Sequence, residues 1–101
     1  MIPKRTAVLL VVLFPLAAGY SAAMAADAPP GASSCSGCHP ASRSVDTPVK
    51  RLVGAKAADI VSAVQEFRSG KRPATVMDRI AKGFSDDEIE AIADWYGAQK
   101  D

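Results

Sequence analysis

The sequence predicts a single all-α domain of about three to four short helices, and three observations carry that prediction. Two segments place apolar residues three and four positions apart, the spacing that puts them on one face of a helix. No segment shows the sustained alternation of apolar and polar residues that is typical of a strand. The chain has 101 residues, which is enough for one small domain and no second one.

The N-terminus of the sequence predicts an export signal at residues 1–25. Lys4 and Arg5 stand before an apolar run of fourteen residues, which is short of the roughly 20 apolar residues that span a bilayer. The Ala-Met-Ala sequence at 23–25 supplies the small side chains that signal peptidase recognises. We therefore expect cleavage to leave a domain of residues 26–101 in the periplasm, and an uncleaved membrane anchor is the less favoured interpretation.

The predicted helices have recognisable ends. A Pro-Pro-Gly sequence prevents an early start of the first helix, which we expect at about residues 33–39. The second covers residues 57–69 and carries apolar side chains at positions i, i+3, i+4 and i+7, and a glycine follows it, as at many helix C-termini. Ser85 and Glu88 form a capping-box pattern that opens the last helix, which should continue to about Ala98.

Both cysteines and the only histidine of the chain fall in one pentapeptide, Cys35-Ser-Gly-Cys38-His39. This C-x-x-C-H spacing is the attachment sequence of covalent haem c. On one helical turn the two thiols reach the vinyl groups of a single porphyrin, and the adjoining imidazole ligates the iron. A disulfide or a thioredoxin-like redox pair is less favoured because strands and helices do not alternate here. A closed zinc site would need four ligands where the pentapeptide offers three.

Met77 is the candidate for the second axial ligand of the iron. It is the only methionine of the predicted domain, and the chain has no second histidine. Gly70 and Pro73 interrupt any helix before it, so we expect Met77 on or beside a loop that can fold over the haem. The alternatives are Lys71, Lys82 or an open iron, with Met77 only filling the core. His/Met ligation raises the reduction potential relative to a bis-histidine pair and leaves no site for a small ligand, as an electron carrier requires.

The segment between the first two helices, residues 40–55, is polar and rich in turn formers. A haem-ligating imidazole needs an acceptor for its second N–H, because that bond orients the ring and tunes the iron. We expect a backbone carbonyl of this segment to be the acceptor, and Pro48 is the candidate.

Basic and acidic residues are unevenly distributed along the chain. Residues 43–82 hold nine basic and four acidic side chains, whereas residues 83–101 hold one basic and six acidic ones. This pattern fits either two solvated faces or a basic rim near the haem that steers a docking partner. Without the predicted signal the net charge is −1, which excludes a protein that binds nucleic acid by neutralising phosphates.

The chain resembles class I cytochromes c in three features. These are the pentapeptide, the lone downstream methionine and a C-terminal helix that bears Trp95-Tyr96. Residues 67–89, FRSGKRPATVMDRIAKGFSDDEI, carry a closer resemblance, to the cytochrome subunit of flavocytochrome c sulfide dehydrogenase. The similarity extends over most of residues 33–98. In that family the subunit receives electrons from a FAD-bearing flavoprotein that oxidises sulfide in the bacterial periplasm.

The resemblance implies a small class I cytochrome c fold wrapped around one covalently attached haem. It assigns roles to six residues: thioether bonds to Cys35 and Cys38, iron ligation to His39 and Met77, packing between the first and last helices to Trp95, and a position towards the haem to Tyr96. Pro40 departs from the pattern, because many relatives have glycine directly after the histidine. Only one haem motif is present, whereas some members of the family carry two haem domains.

The sequence thus predicts a periplasmic electron-transfer protein with one His/Met-ligated haem c. Its expected donor is a FAD-containing flavoprotein that oxidises sulfide or a related sulfur compound, and it is expected to pass the electrons to a soluble electron acceptor. A free-standing cytochrome shuttle without a permanent flavoprotein partner is the second hypothesis, and a ligand-binding or peroxidase-type haem protein is the third. We expect no stable membrane anchor and no catalysis by this chain alone.

Overall fold

The computed structural model describes residues 27–100, which form four helices and no strand. The helices are α1 (Ala32–Cys35), α2 (Ala57–Ser69), α3 (Met77–Ala81) and α4 (Asp86–Ala98). The all-α prediction is confirmed, and the predicted signal at residues 1–25 lies outside the described residues. Within the described range, none of the helices combines the length and the apolar character that a bilayer span requires.

Local sequence signals define the C-terminus of α2 and the N-terminus of α4, the two long helices. Gly70 caps α2 in the left-handed conformation at φ +79° and donates its N–H to the carbonyl of Phe67. At the start of α4 the Ser85 hydroxyl accepts the Glu88 N–H at 3.2 Å, and the Glu88 carboxylate accepts the Ser85 N–H at 2.8 Å. This reciprocal capping box satisfies backbone groups that a helix end otherwise leaves without partners.

The core is small and lies where α4 packs against the other helices. Its buried residues form two clusters: Ala32, Ile60, Ile92, Ala93 and Tyr96 in one, and Val64, Ala81 and Ile89 in the other. Every buried residue of the described range lies in a helix, and none lies between positions 33 and 59 or between positions 65 and 80. The side chains of the protein itself therefore stabilise the helices much more than the connections between them.

Helix α1 is shorter than predicted, since it ends at Cys35 rather than continuing to position 39. Beyond it the chain makes one more turn, in which the Cys35 carbonyl accepts the N–H groups of Cys38 at 3.2 Å and His39 at 2.9 Å. Pro40 has no N–H with which to extend the helix, and so the turn stops there. The start is set by Gly31 at φ +86°, where a Cβ would lie 2.6 Å from the Phe84 ring.

Candidate functional site

A cleft of about 1230 Å³ lies beside α2 and is lined by residues of all four helices and of both long connections. Its volume exceeds the roughly 300–1000 Å³ of pockets for drug-sized ligands, so it has room for a larger group. Its apolar wall includes large side chains of α2, α3 and α4: Ile60, Val64, Phe67, Ile80, Ile89 and Ile92. Apolar residues of these three helices therefore line one common cleft.

The pentapeptide lines the cleft with all three of its functional side chains, those of Cys35, Cys38 and His39. The turn closed on the Cys35 carbonyl holds them together, because successive hydrogen bonds from positions 38 and 39 end on that one oxygen. Both thiols are free, with Cys35 partly buried and Cys38 exposed. Burial raises the pKa of the Cys35 thiol, so the group stays neutral beside the apolar wall near neutral pH.

The imidazole of His39 has a fixed hydrogen-bond partner. Its Nδ1 lies 2.5 Å from the backbone carbonyl oxygen of Lys50. A carbonyl can only accept, so Nδ1 carries the proton and Nε2 keeps the lone pair that a metal ion binds. The predicted acceptor, the carbonyl of Pro48, is wrong by two residues, although Pro48 itself lines the cleft.

Arg51 explains why the acceptor is Lys50. Its side chain donates to the carbonyl of Ala41 from Nε at 2.9 Å and from Nη2 at 2.5 Å. These bonds join the two ends of the 40–55 connection, so the backbone at Lys50 lies beside the segment that follows His39. Neither Lys50 nor Arg51 could be singled out from the sequence, because no side-chain type marks a carbonyl acceptor and arginine is common in polar segments.

Met77 lines the same cleft as His39 and is partly buried at the first position of α3. The loop before it is fastened to the end of α2 by Arg72, whose Nε lies 2.9 Å from a Glu66 carboxylate oxygen and whose guanidinium lies 5.5 Å from the centre of the Phe67 ring. Among the described residues that line the cleft, neither Lys71 nor Lys82 is found. Of the candidates for the second axial ligand, only the methionine therefore borders the site.

Neither Trp95 nor Tyr96, the aromatic pair of α4, is among the described residues that line the cleft. The Tyr96 side chain is 4% exposed and donates its hydroxyl to the backbone carbonyl of Ala32 at 2.5 Å, so it joins α4 to α1. Its hydroxyl thus finds its acceptor in the helix that carries Cys35, and the expected position of Tyr96 towards the haem stays a prediction. Trp95 packs, partly buried, against the same cluster.

Comparison with known proteins decides the family. No protein-family model matches the chain. The cytochrome c-553 of Nitratidesulfovibrio vulgaris is 36% identical over 100 residues, which cover 91% of this chain and 95% of that protein. The chain belongs to the cytochrome c family. This cytochrome c therefore carries covalently attached haem c and is a small electron-transfer protein.

A second relative is the cytochrome subunit of sulfide dehydrogenase from Chlorobaculum tepidum. It is 36% identical over 64 residues, which cover 63% of this cytochrome c. The match spans 58% of the length of that subunit. The resemblance to class I cytochromes c, and among them to the sulfide dehydrogenase subunit, is confirmed by these two relatives.

The residues around the cleft fit a haem in both chemistry and charge. The cleft brings together two thiols, an imidazole with an available Nε2 and a thioether, which are the donor types that cytochromes c use. Its described lining includes four cationic side chains and one acidic one: Lys50, Arg51, Arg72, Arg79 and Asp59. This excess of positive charge complements the two propionates of a haem.

Proposed function

We propose that this cytochrome c is a periplasmic electron carrier whose single haem is attached at Cys35 and Cys38 and ligated by His39 and Met77. The observation that carries the ligation is the bond from His39 Nδ1 to the Lys50 carbonyl, which leaves Nε2 for the iron. Met77 supports it from the other ligand position, because it borders the same cleft. When bound, the haem supplies one-electron exchange between ferric and ferrous iron.

The chain would contribute to electron transfer by orienting the iron ligands and by excluding small molecules and water from the iron. With His39 and Met77 as the ligands of the iron, a small molecule such as oxygen or carbon monoxide would find no open site. The Lys50 carbonyl keeps the His39 ring in one orientation and raises its basicity as a ligand. The apolar wall would leave little room for water around the bound haem, and charges interact more strongly in such surroundings than in water.

Carbon monoxide tests the ligation directly. We expect the spectrum of the reduced wild-type protein to stay unchanged under carbon monoxide at neutral pH, and the ferric protein to show a sulfur-to-iron charge-transfer band. Met77→Ala should bind carbon monoxide rapidly, lose the band and lower the reduction potential by a fraction of the roughly 0.8 V range that axial ligands span.

The matched control for this experiment is Lys71→Ala, an exposed residue of the same loop that lies outside the described lining of the cleft. Its spectrum and potential should equal those of the wild type. Rapid binding of carbon monoxide by the wild type would favour a haem protein with an open iron. Loss of the charge-transfer band in Lys71→Ala would also contradict the assignment.

We further propose that the electron donor is a flavoprotein that oxidises sulfide or a related sulfur compound, and that the electrons pass to a soluble electron acceptor. The name of the Chlorobaculum tepidum relative supports a partner of this kind. The predicted export signal at residues 1–25 supports a periplasmic location. Gel filtration of the native periplasmic extract tests both, with haem absorbance and flavin fluorescence followed in the same fractions.

Haem and flavin that elute together, at a molar ratio near one to one, would support the proposal that this chain is a subunit of a complex with a flavoprotein. A free-standing shuttle is the second candidate, and it is favoured by the match to cytochrome c-553 over 95% of that protein. Haem that elutes alone, near the size of the domain, would support this second function. Haem recovered only in the cytoplasmic fraction would contradict both.

A further inference from the structure

Arg68 joins three elements of the fold through its guanidinium group. It lies in the last turn of α2, and its side chain is 28% exposed. Nε lies 3.2 Å from the Ala81 carbonyl and Nη2 lies 2.8 Å from the Phe84 carbonyl, while Nη1 pairs with the Asp86 carboxylate at 2.5 Å. One side chain thus connects α2 to the end of α3, to the α3–α4 connection and to the start of α4.

Helix α3 depends on contacts of this kind. It has only five residues, far fewer than the roughly 12–15 that an isolated helix needs to be even marginally stable. Val76 at its N-cap provides no side-chain hydrogen bond, and the loop before it is exposed along its whole length. Its one buried side chain is the small Ala81, and the carbonyl of that residue is a helix-end acceptor that Arg68 satisfies.

We infer that Arg68 is a positioning residue for Met77, because it holds α3 against α2 and thereby keeps the methionine sulfur at the iron. The inference rests on the proposed His/Met ligation. Moving α3 away from the haem leaves the carbonyls of Ala81 and Phe84 without their donor, whereas the His39 side of the site is unaffected. Arg68 therefore keeps the conformation with an accessible iron rare.

Imidazole is a suitable probe of that conformation, because it binds ferric iron only after the methionine has left. Its apparent affinity is proportional to the fraction of molecules with an accessible iron. We expect the ferric holoprotein with Arg68→Gln to bind imidazole about tenfold more tightly than the wild type, which corresponds to about 1.4 kcal/mol. Its sulfur-to-iron charge-transfer band should weaken. Arg68→Lys should fall between the two, because it keeps the charge but not the planar group that reaches two carbonyls.

Two control variants separate positioning from charge. Lys82→Gln removes a positive charge at the end of α3 from a residue outside the described lining of the cleft, and its imidazole affinity should stay within about twofold of the wild type. Asp86→Asn removes the carboxylate but leaves both carbonyl bonds of Arg68, so its affinity should also change by less than about twofold.

The inference is overturned if Arg68→Gln binds imidazole as the wild type does, even if its melting temperature falls, because Arg68 would then stabilise the fold without positioning Met77. An equal increase of affinity in Lys82→Gln would also overturn it in favour of a charge effect. A wild-type protein that lacks the charge-transfer band would instead refute the ligation, and with it this inference.

Discussion

The helices and the two long connections, residues 40–55 and 70–76, are stabilised in different ways. Every buried residue of the described range lies in a helix. The connections contain no buried residue. Polar contacts such as the bond from Arg51 to Ala41 fix them, together with partly buried side chains such as Leu52 and Val53. The helices therefore depend on a buried core of side chains, whereas the connections depend on fewer and more exposed contacts.

The largest effect that would test this comparison is loss of the haem. We expect the Cys35→Ala, Cys38→Ala double variant to lose cooperative thermal unfolding, because the porphyrin provides much of the buried apolar surface. Circular dichroism and hydrogen exchange measure the change, and amides of the two connections should exchange before those of α2 and α4. Met77→Ala, which keeps the covalent haem, is the control. A fully helical apoprotein with protected connections would show that the comparison is wrong.

The second largest effect is expected from a substitution in the core, compared with one in a connection. Ile92 is 2% exposed at the centre of the larger cluster, and Ile92→Ala should lower the free energy of unfolding by about 2–5 kcal/mol. Val45 is 52% exposed in the 40–55 connection, and Val45→Ala should change the free energy of unfolding by less than about 0.5 kcal/mol. Denaturant unfolding of the holoproteins measures both, and equal losses would contradict the distinction between the two regions.

The hydroxyl of Tyr96 provides a smaller effect with a distinct dependence on pH. Burial raises the pKa of Tyr96 above its ordinary value of 10.0, and a Cys35 thiolate adds to the rise where that thiol is free. The folded state thus binds the phenolic proton more tightly than the unfolded state, so the stabilisation is complete below pH 10 and is lost as the pH rises through the raised pKa.

Tyr96→Phe should therefore cost about 1 kcal/mol of unfolding free energy at neutral pH, because the Ala32 carbonyl loses its donor. The difference in unfolding free energy between the wild type and the variant should shrink as the pH rises above 10, because only the wild type has a phenol at position 96 to titrate. Unfolding free energies measured at neutral and alkaline pH provide the comparison. A difference between the two proteins that does not change with pH would contradict the assigned role of the hydroxyl.

The smallest effect concerns the start of α4. Ser85→Ala removes the hydroxyl that accepts the Glu88 N–H and should cost about 1 kcal/mol of unfolding free energy. Ser69→Ala, at an exposed serine of the last turn of α2, should change it by less than about 0.5 kcal/mol. Thermal unfolding of the two variants would show whether the local cap is worth more than an ordinary surface hydroxyl.

Local signals made α2 and α4 predictable from the sequence, because Gly70 and the Ser85–Glu88 capping box act on neighbouring backbone groups. Contacts between distant residues were harder to predict. The hydroxyl of Tyr96 binds a carbonyl 64 positions away, and the acceptor for His39 depends on how Arg51 fastens the connection. These contacts arise from the tertiary arrangement, which leaves no periodic pattern in the sequence.

The candidate site divides in the same way. Cys35, Cys38 and His39 could be proposed as the attachment and ligand residues because haem c attachment requires fixed residue types at a fixed spacing. Met77 could be proposed by elimination. The role inferred for Arg68 could not, because its partners are two backbone carbonyls and one carboxylate more than ten positions away.

The acceptor for His39 has a consequence for how this cytochrome c can change through mutation. Lys50 contributes a main-chain oxygen, and every amino acid possesses that atom. The side chain at position 50 can therefore be exchanged without deleting the bond that orients the imidazole. The orientation of His39 thus tolerates any side chain at position 50 and depends on Arg51 to fasten the connection, whereas the proposed methionine side depends on the side chains of Met77 and Arg68. Substitutions at position 50 should therefore leave the reduction potential of this protein nearly unchanged.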